Sequence, residues 1–188
     1  METVSFTQMA SGTKEDYLLL GRLEKQHLAG VADRVLRHLL EMKDSFGGYQ
    51  VDRLEHSLQC ATRAYRDQAN EELVVVALLH DIGDLLAPDN HSEMAAAVLK
   101  PYISEESYWI VRHHGLFQTY YYAHHMGGDR NARDRYRNHP HFDATVRFCE
   151  SWDQPSFDPD YDTMVLEFFE PMVRRLFSRD PVKDIDQL

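Results

Sequence analysis

Leu73-Val74-Val75-Val76-Ala77-Leu78-Leu79-His80-Asp81-Ile82-Gly83-Asp84 is an apolar run that ends on an imidazole and a carboxylate. A segment apolar on every side is stable only when neighbours cover it all round. Residues 70–83 are therefore expected to form a central buried helix ending at Gly83. A histidine and an aspartate at the buried end of such a helix cost free energy unless something binds them, and a metal ion suits the pair. His-Asp alone is a frequent dipeptide. It gains weight because other candidate ligands lie on separate helix-like segments: His56, His91, His113 or His114, and Asp153.

Working outward, helical periodicity dominates and strand alternation is scarce. Ser11 to Asp16 leads into an apolar stretch from Tyr17 to Leu20, and a stripe runs through Leu28, Val31, Val35 and Leu39 at three- and four-residue steps. Phe46-Gly47-Gly48-Tyr49 reads as a loop. A helix is expected over Arg53 to Arg66, with Leu54, Leu58, Ala61 and Tyr65 on one side. Asn90-x-x-Glu93 resembles a capping signal for a helix over Ser92 to Leu99. Further helices are expected over Ser104 to His114, stopped by Gly115, then Phe142 to Asp153 and Thr163 to Phe177. Ser178 to Leu188 reads as a frayed tail. The expected fold is all-α, one domain over 1–188. It comprises N-terminal helices (1–45), a metal-site core (46–155) and a C-terminal helix and tail (156–188).

The 188 residues suffice for a substantial core, and 43% hydrophobic with 27% charged residues is ordinary for a globular chain. A net charge of −11 argues against nucleic acid or an anionic membrane as partner. Cys60 and Cys149 lack the spacing of a disulfide framework or a zinc ribbon. No signal-peptide pattern and no apolar stretch of membrane length appears, so the expected location is cytoplasmic. The oligomeric state is left open.

Within the candidate site, an isolated helical histidine such as His56 is more often a core or surface residue than a ligand. His91 falls in the first turn of its helix, where exposure is ordinary. Asp153 is more telling, because Phe142, Val146, Cys149 and Asp153 place a carboxylate on an otherwise apolar face. Such a carboxylate must protonate or find a cation, either a metal or an arginine. Imidazole and carboxylate ligands without thiolate suit iron, manganese or zinc, held between helices of a bundle. Asp81 has two oxygens to share between two metals. Adjacent helical positions diverge by about 100°, so only one of His113 and His114 faces the centre.

The order His56, His80-Asp81, His91, His114, Asp153 resembles the HD-domain superfamily. Within it, the order is similar to the mixed-valent di-iron oxygenases, the branch with myo-inositol oxygenase and the 1-hydroxyphosphonate oxygenases. The likeness is carried by Leu54-Glu55-His56-Ser57-Leu58-Gln59-Cys60-Ala61, Ala77-Leu78-Leu79-His80-Asp81-Ile82-Gly83 and Trp152-Asp153. It extends to His113-His114-Gly115-Leu116-Phe117-Gln118 and Tyr120-Tyr121-Tyr122, where it is to members that cleave 1-hydroxy-2-(trimethylamino)ethylphosphonate.

The resemblance implies that one iron takes His56, His80, Asp81 and Asp153, and a second takes Asp81, His91 and His114. The pair would work as Fe(II)/Fe(III), with dioxygen as co-substrate, leaving glycine betaine and phosphate. Two positions depart from the branch: Asp84 stands where relatives use a basic or imidazole side chain, and Gln118 where a lysine is sought. The phosphonate would then be held by the irons and by arginines, with Arg130, Arg133 and Arg147 as candidates. A trimethylammonium group would be received by Tyr49, Phe117, Tyr120, Tyr121 and Tyr122, with charge from Asp84 or Glu55. The competing reading of the tyrosine run is ordinary half-buried packing. The runner-up function is an HD-type phosphohydrolase acting on a nucleotide or phosphomonoester. A third is a metal-stabilised binding domain without turnover.

Overall fold

Side-chain caps decide where the main helices begin. In the computed structural model, which describes residues 2–182, the Thr13 hydroxyl accepts from the Asp16 backbone N–H and the Asp16 carboxylate accepts from that of Thr13, opening α1 (Lys14–Ala29). Asp52 accepts from the Glu55 backbone N–H at 2.8 Å and opens α3 (Arg53–Arg66). Asn70 does the same for Leu73 at 2.9 Å in α4 (Glu71–Leu79), and Ser104 for Ser107 in α6 (Glu105–Tyr122). Each such cap contributes on the order of 1 kcal/mol. The set is completed by α2 (Val31–Glu41), α5 (His91–Leu99), α7 (Phe142–Phe148) and α8 (Leu166–Phe177), with no strand among the described residues.

The central helix is α4, and Val74 through Leu79 are all buried. Helix α3 packs along it, α8 covers it from another side and reaches α2, and α6 bridges α4, α5 and α7. Burying each of these aliphatic side chains contributes roughly 1.5–3 kcal/mol.

Several boundaries differ from the sequence expectation. The helix expected to end at Gly83 stops at Leu79, and 80–86 continue as turns, with His80 Nδ1 bonded to the Ala77 carbonyl at 2.8 Å. Asn90 precedes α5 but makes no side-chain cap. Gly115 does not stop α6. A Cβ there would lie 2.7 Å from Ser92 Oγ, so the glycine marks where α5 and α6 approach closely. The Leu28-to-Leu39 stripe is cut at Gly30 into α1 and α2, leaving Leu28 54% exposed. After α7 the chain widens into a π-turn, Cys149–Asp153, in which the Gln154 N–H reaches back to the Cys149 carbonyl at 2.9 Å. The C-terminal helix starts at Leu166, not Thr163, and of the expected tail, 183–188 lie outside the described residues.

Glu72 ties α4 to the start of α6 and to the chain after α8, accepting from the Ser104 N–H, the Ser107 hydroxyl and Arg179. Burial raises its pKa, but these donors outweigh burial and pull it down from 4.5 to about 2. The folded value lies below the unfolded one. The contact therefore contributes stability above about pH 4.5 and loses it as the pH falls toward 2. Glu72→Gln is expected to lower the melting temperature at pH 7 and to flatten its decline between pH 4.5 and 2. An unchanged acid limb would remove this residue from the pH dependence.

Candidate metal centre

Four histidines meet because four helical elements converge at one place, and each is aimed by a backbone carbonyl. His56 comes from the first turns of α3, His80 from the C-terminal cap of α4, His91 from the first position of α5, and His114 from the middle of α6. His56 Nδ1 lies 2.9 Å from the Ser156 carbonyl, His80 Nδ1 2.8 Å from that of Ala77, and His114 Nδ1 2.6 Å from that of Val111. His91 Nδ1 makes a longer contact, 3.3 Å, with the Pro88 carbonyl. A carbonyl accepts only, so each Nδ1 carries the proton and each Nε2 presents a lone pair inward.

Those lone pairs converge. His56 Nε2 lies 3.2 Å from His80 Nε2, 3.3 Å from Asp81 Oδ2 and 3.3 Å from Asp153 Oδ1. On the other side, Asp81 Oδ1 lies 3.1 Å from His114 Nε2 and 3.4 Å from His91 Nε2. A metal with bonds of about 2.0–2.1 Å holds neighbouring donors roughly 3.0–3.4 Å apart. Asp81 Oδ2 thus faces His56 and His80, Asp81 Oδ1 faces His91 and His114, and Asp153 adds a carboxylate within reach of His56, His80 and His114.

The charges fit a cation as well. Asp153 Oδ2 is buried without a hydrogen-bond partner, and a carboxylate oxygen so placed is costly unless a cation sits beside it. For Asp81, burial opposes the charge, but His80 and Arg53 and the hydrogen bonds of His114 and His56 hold its pKa well below the usual range. Asp153 is lowered in the same way, against burial, by His80 and His56. Burial lowers His56, yet bonds to Asp153 and Asp81 raise it to about 9, and His114 is raised for the same reason. The acids draw positive charge to this point. Metal ions would supply it and leave the imidazoles neutral as ligands.

His113 is turned away. Its ring stacks on Trp109 at 3.7 Å and meets Tyr136 edge-on. His114→Ala is expected to lose about one metal per chain, as a ligand substitution should, whereas His113→Ala keeps both. The reverse result by elemental analysis would transfer the role to His113.

A cavity of about 680 Å³ opens on the centre, lined by Asp81, His91, His114 and Asp153. Of the residues expected to touch substrate, Tyr49, Gln118, Tyr121 and Tyr122 line it. The others lie elsewhere. Glu55 is held by Gln59 and Thr163. Asp84 is paired with Arg53 Nε at 2.8 Å, so its charge is already answered. Arg130 and Arg133 stack on Tyr120, at 4.3 and 3.8 Å from its centroid, while Arg147 lines a different cleft beside Trp152. Phe117 is a core residue packed on Phe142.

Sequence reasoning missed Arg53 and Phe157 in the wall, and also its acids Asp89 and Glu93. Arg53 donates to Asp81 Oδ2 at 2.7 Å and faces the cavity. Burial disfavours its charge, but Asp81 and Asp84 outweigh burial and keep its pKa raised. Its spacing three residues before His56 on one helix face was the available signal. Phe157 stacks on the His56 ring at 4.4 Å and carries Tyr49 at 4.7 Å on its other side. Besides Asp81 and Asp153, the acids of the wall are Asp89 and Glu93, around the start of α5, in place of the expected Asp84 and Glu55. Cys60 and Cys149 are buried free thiols with pKa values pushed up by burial, unsuited to nucleophilic work.

No described helix is long and apolar enough to cross a membrane. No curated protein matches the chain. The HD-domain family profile matches residues 53–155, more than half of the sequence and the span that contains all six converging side chains. This match and the buried His/Asp cluster support a metal-dependent enzyme, and the chain belongs to the HD-domain family.

Proposed function

We propose that the protein is a di-iron oxygenase that cleaves the carbon–phosphorus bond of a 1-hydroxyphosphonate, with (1-hydroxy-2-(trimethylamino)ethyl)phosphonate as the favoured substrate. The observation that supports it most is that the two oxygens of Asp81 face different histidine pairs, His56 and His80 on one side and His91 and His114 on the other, the second pair lining the cavity. A second site with three protein ligands leaves positions for substrate oxygens. The bound irons would supply Lewis acidity and the redox capacity to activate dioxygen.

The chain's own residues have separate tasks. His91 and His114 hold the smaller site at the cavity wall. Arg53, the arginine of that wall, is positioned to receive an anionic oxygen while it steadies Asp81. Tyr49, Tyr121, Tyr122 and Phe157 offer ring faces, and Asp89 and Glu93 offer charge, to a quaternary ammonium. In the overall reaction one substrate and one dioxygen give glycine betaine and inorganic phosphate. The C–H and C–P bonds at the hydroxyl-bearing carbon break, and their four electrons reduce the dioxygen.

Oxygen uptake and phosphate release are to be followed with iron-loaded protein and this phosphonate. One phosphate per dioxygen consumed is expected. A specific observation favours a second reading: Arg53 beside the His/Asp cluster also suits the phosphate of a phosphomonoester. Phosphate release from a nucleotide without oxygen uptake, and none from the phosphonate, would replace the oxygenase with that hydrolase.

A further inference from the structure

The turn that carries Asp81 is closed mostly by its own amides. The Leu79 carbonyl accepts from the Ile82 N–H at 3.1 Å, that of Asp81 from Asp84 at 2.8 Å, and that of Gly83 from Leu86 and Ala87. The Ile82 carbonyl takes its donor from outside the turn. His38 Nε2 lies 3.0 Å from it, across 44 positions of sequence. A carbonyl only accepts, so the ring holds a proton on Nε2. His38 stands one turn beyond the buried Val35 on α2, and Glu41 Oε2, 3.1 Å from Nδ1, orients the ring. Ile82 is 3% exposed, and a buried carbonyl that loses its donor is costly to leave in place.

The residue that His38 holds lies between two parts of the metal centre. Before it, the Asp81 oxygens face the two histidine pairs. After it, Gly83 packs against the backbone of His91 so closely that a Cβ would lie 2.4 Å from the His91 carbonyl oxygen. Arg53 fixes the side chains of Asp81 and Asp84, and His38 anchors the main chain between them. We propose that His38 is a positioning residue of the metal centre, which sets the Asp81 carboxylate and the first turn of α5 by holding the Ile82 carbonyl from α2. The proposal rests on reading the His/Asp cluster as a metal centre and is independent of the reaction. It extends that centre to a helix outside residues 53–155, the span that the family profile covers. A histidine that only packed α2 in place would leave metal affinity alone, so the two roles separate by measurement.

Fe(II) binding to the full-length protein is to be measured anaerobically against a competing chelating dye, beside the melting temperature of the metal-free protein. His38→Ala is expected to bind Fe(II) about tenfold more weakly, the lower end of the cost of losing a partner outside the ligands. His38→Gln, whose amide N–H reaches the place of Nε2, is expected to restore most of that affinity. Val35→Ala, which cuts a buried side chain from the same helix, is expected to lower the melting temperature and leave Fe(II) affinity unchanged. Wild-type affinity in His38→Ala, or an equal loss in His38→Gln or Val35→Ala, would overturn the proposal. A wild type that holds no Fe(II), Mn(II) or Zn(II) would overturn the metal centre itself and the proposal with it.

Discussion

Asp81→Ala is expected to leave the folded protein with almost no iron after anaerobic reconstitution. Its two oxygens face separate donor groups, so one substitution removes a ligand from each. A water cannot stand in, because the carboxylate is fixed by Arg53 at 2.7 Å and is almost fully buried. Losing a partner of a metal-bound histidine costs about 10–100-fold in affinity or activity, and losing the shared ligand is expected to exceed that. Asp153→Ala, whose carboxylate lies 3.3 Å from His56 and 3.6 Å from His80, is expected to empty mainly the site with those two histidines. Iron per chain and circular dichroism decide the matter. Normal iron content in folded Asp81→Ala would falsify the bridging role.

Gly83→Ala is expected to unseat His91 without touching any ligand. A Cβ on Gly83 would lie 2.4 Å from the His91 carbonyl oxygen and 2.9 Å from its Cα. These are backbone atoms, so the first turn of α5 must move away. The expected result is loss of about one metal, as for a ligand substitution, and a destabilisation of roughly 1–3 kcal/mol. Gly115→Ala is the comparison. Its Cβ meets Ser92 Oγ at 2.7 Å, the end of a side chain that can rotate, so both metals are expected to remain. Equal metal content and equal melting temperatures in the two variants would contradict this reading of Gly83.

The two glycines also show what the sequence made legible and what it hid. Apolar periodicity places α3 from Arg53 to Arg66 and an unbroken apolar run marks α4 as central, because both signals are local. A glycine looks the same whether it ends a helix or lets two helices touch. Gly115 was therefore read as a stop, when its meaning lies in Ser92, 23 positions away. The six converging side chains were legible as imidazoles and acids at the ends of apolar segments, while the choice between His113 and His114 needed the stacking of His113 on Trp109. The cavity wall was the least legible part. Asp84 reads as a free acid until Arg53 is seen beside it, and Phe157 lies beyond the last motif, in a loop with no periodicity of its own. Arg130 and Arg133 read as anion holders, yet they stack on Tyr120 and do not line the cavity.

The di-metal claim is tested most directly by low-temperature electron paramagnetic resonance of anaerobically reconstituted wild-type protein, paired with iron analysis. A shared Asp81 predicts about two irons per chain and, after partial oxidation, the signal of an exchange-coupled Fe(II)/Fe(III) pair, as carboxylate-bridged metals about 3.5–4 Å apart should give. One iron per chain with the signal of an isolated high-spin ion would contradict it.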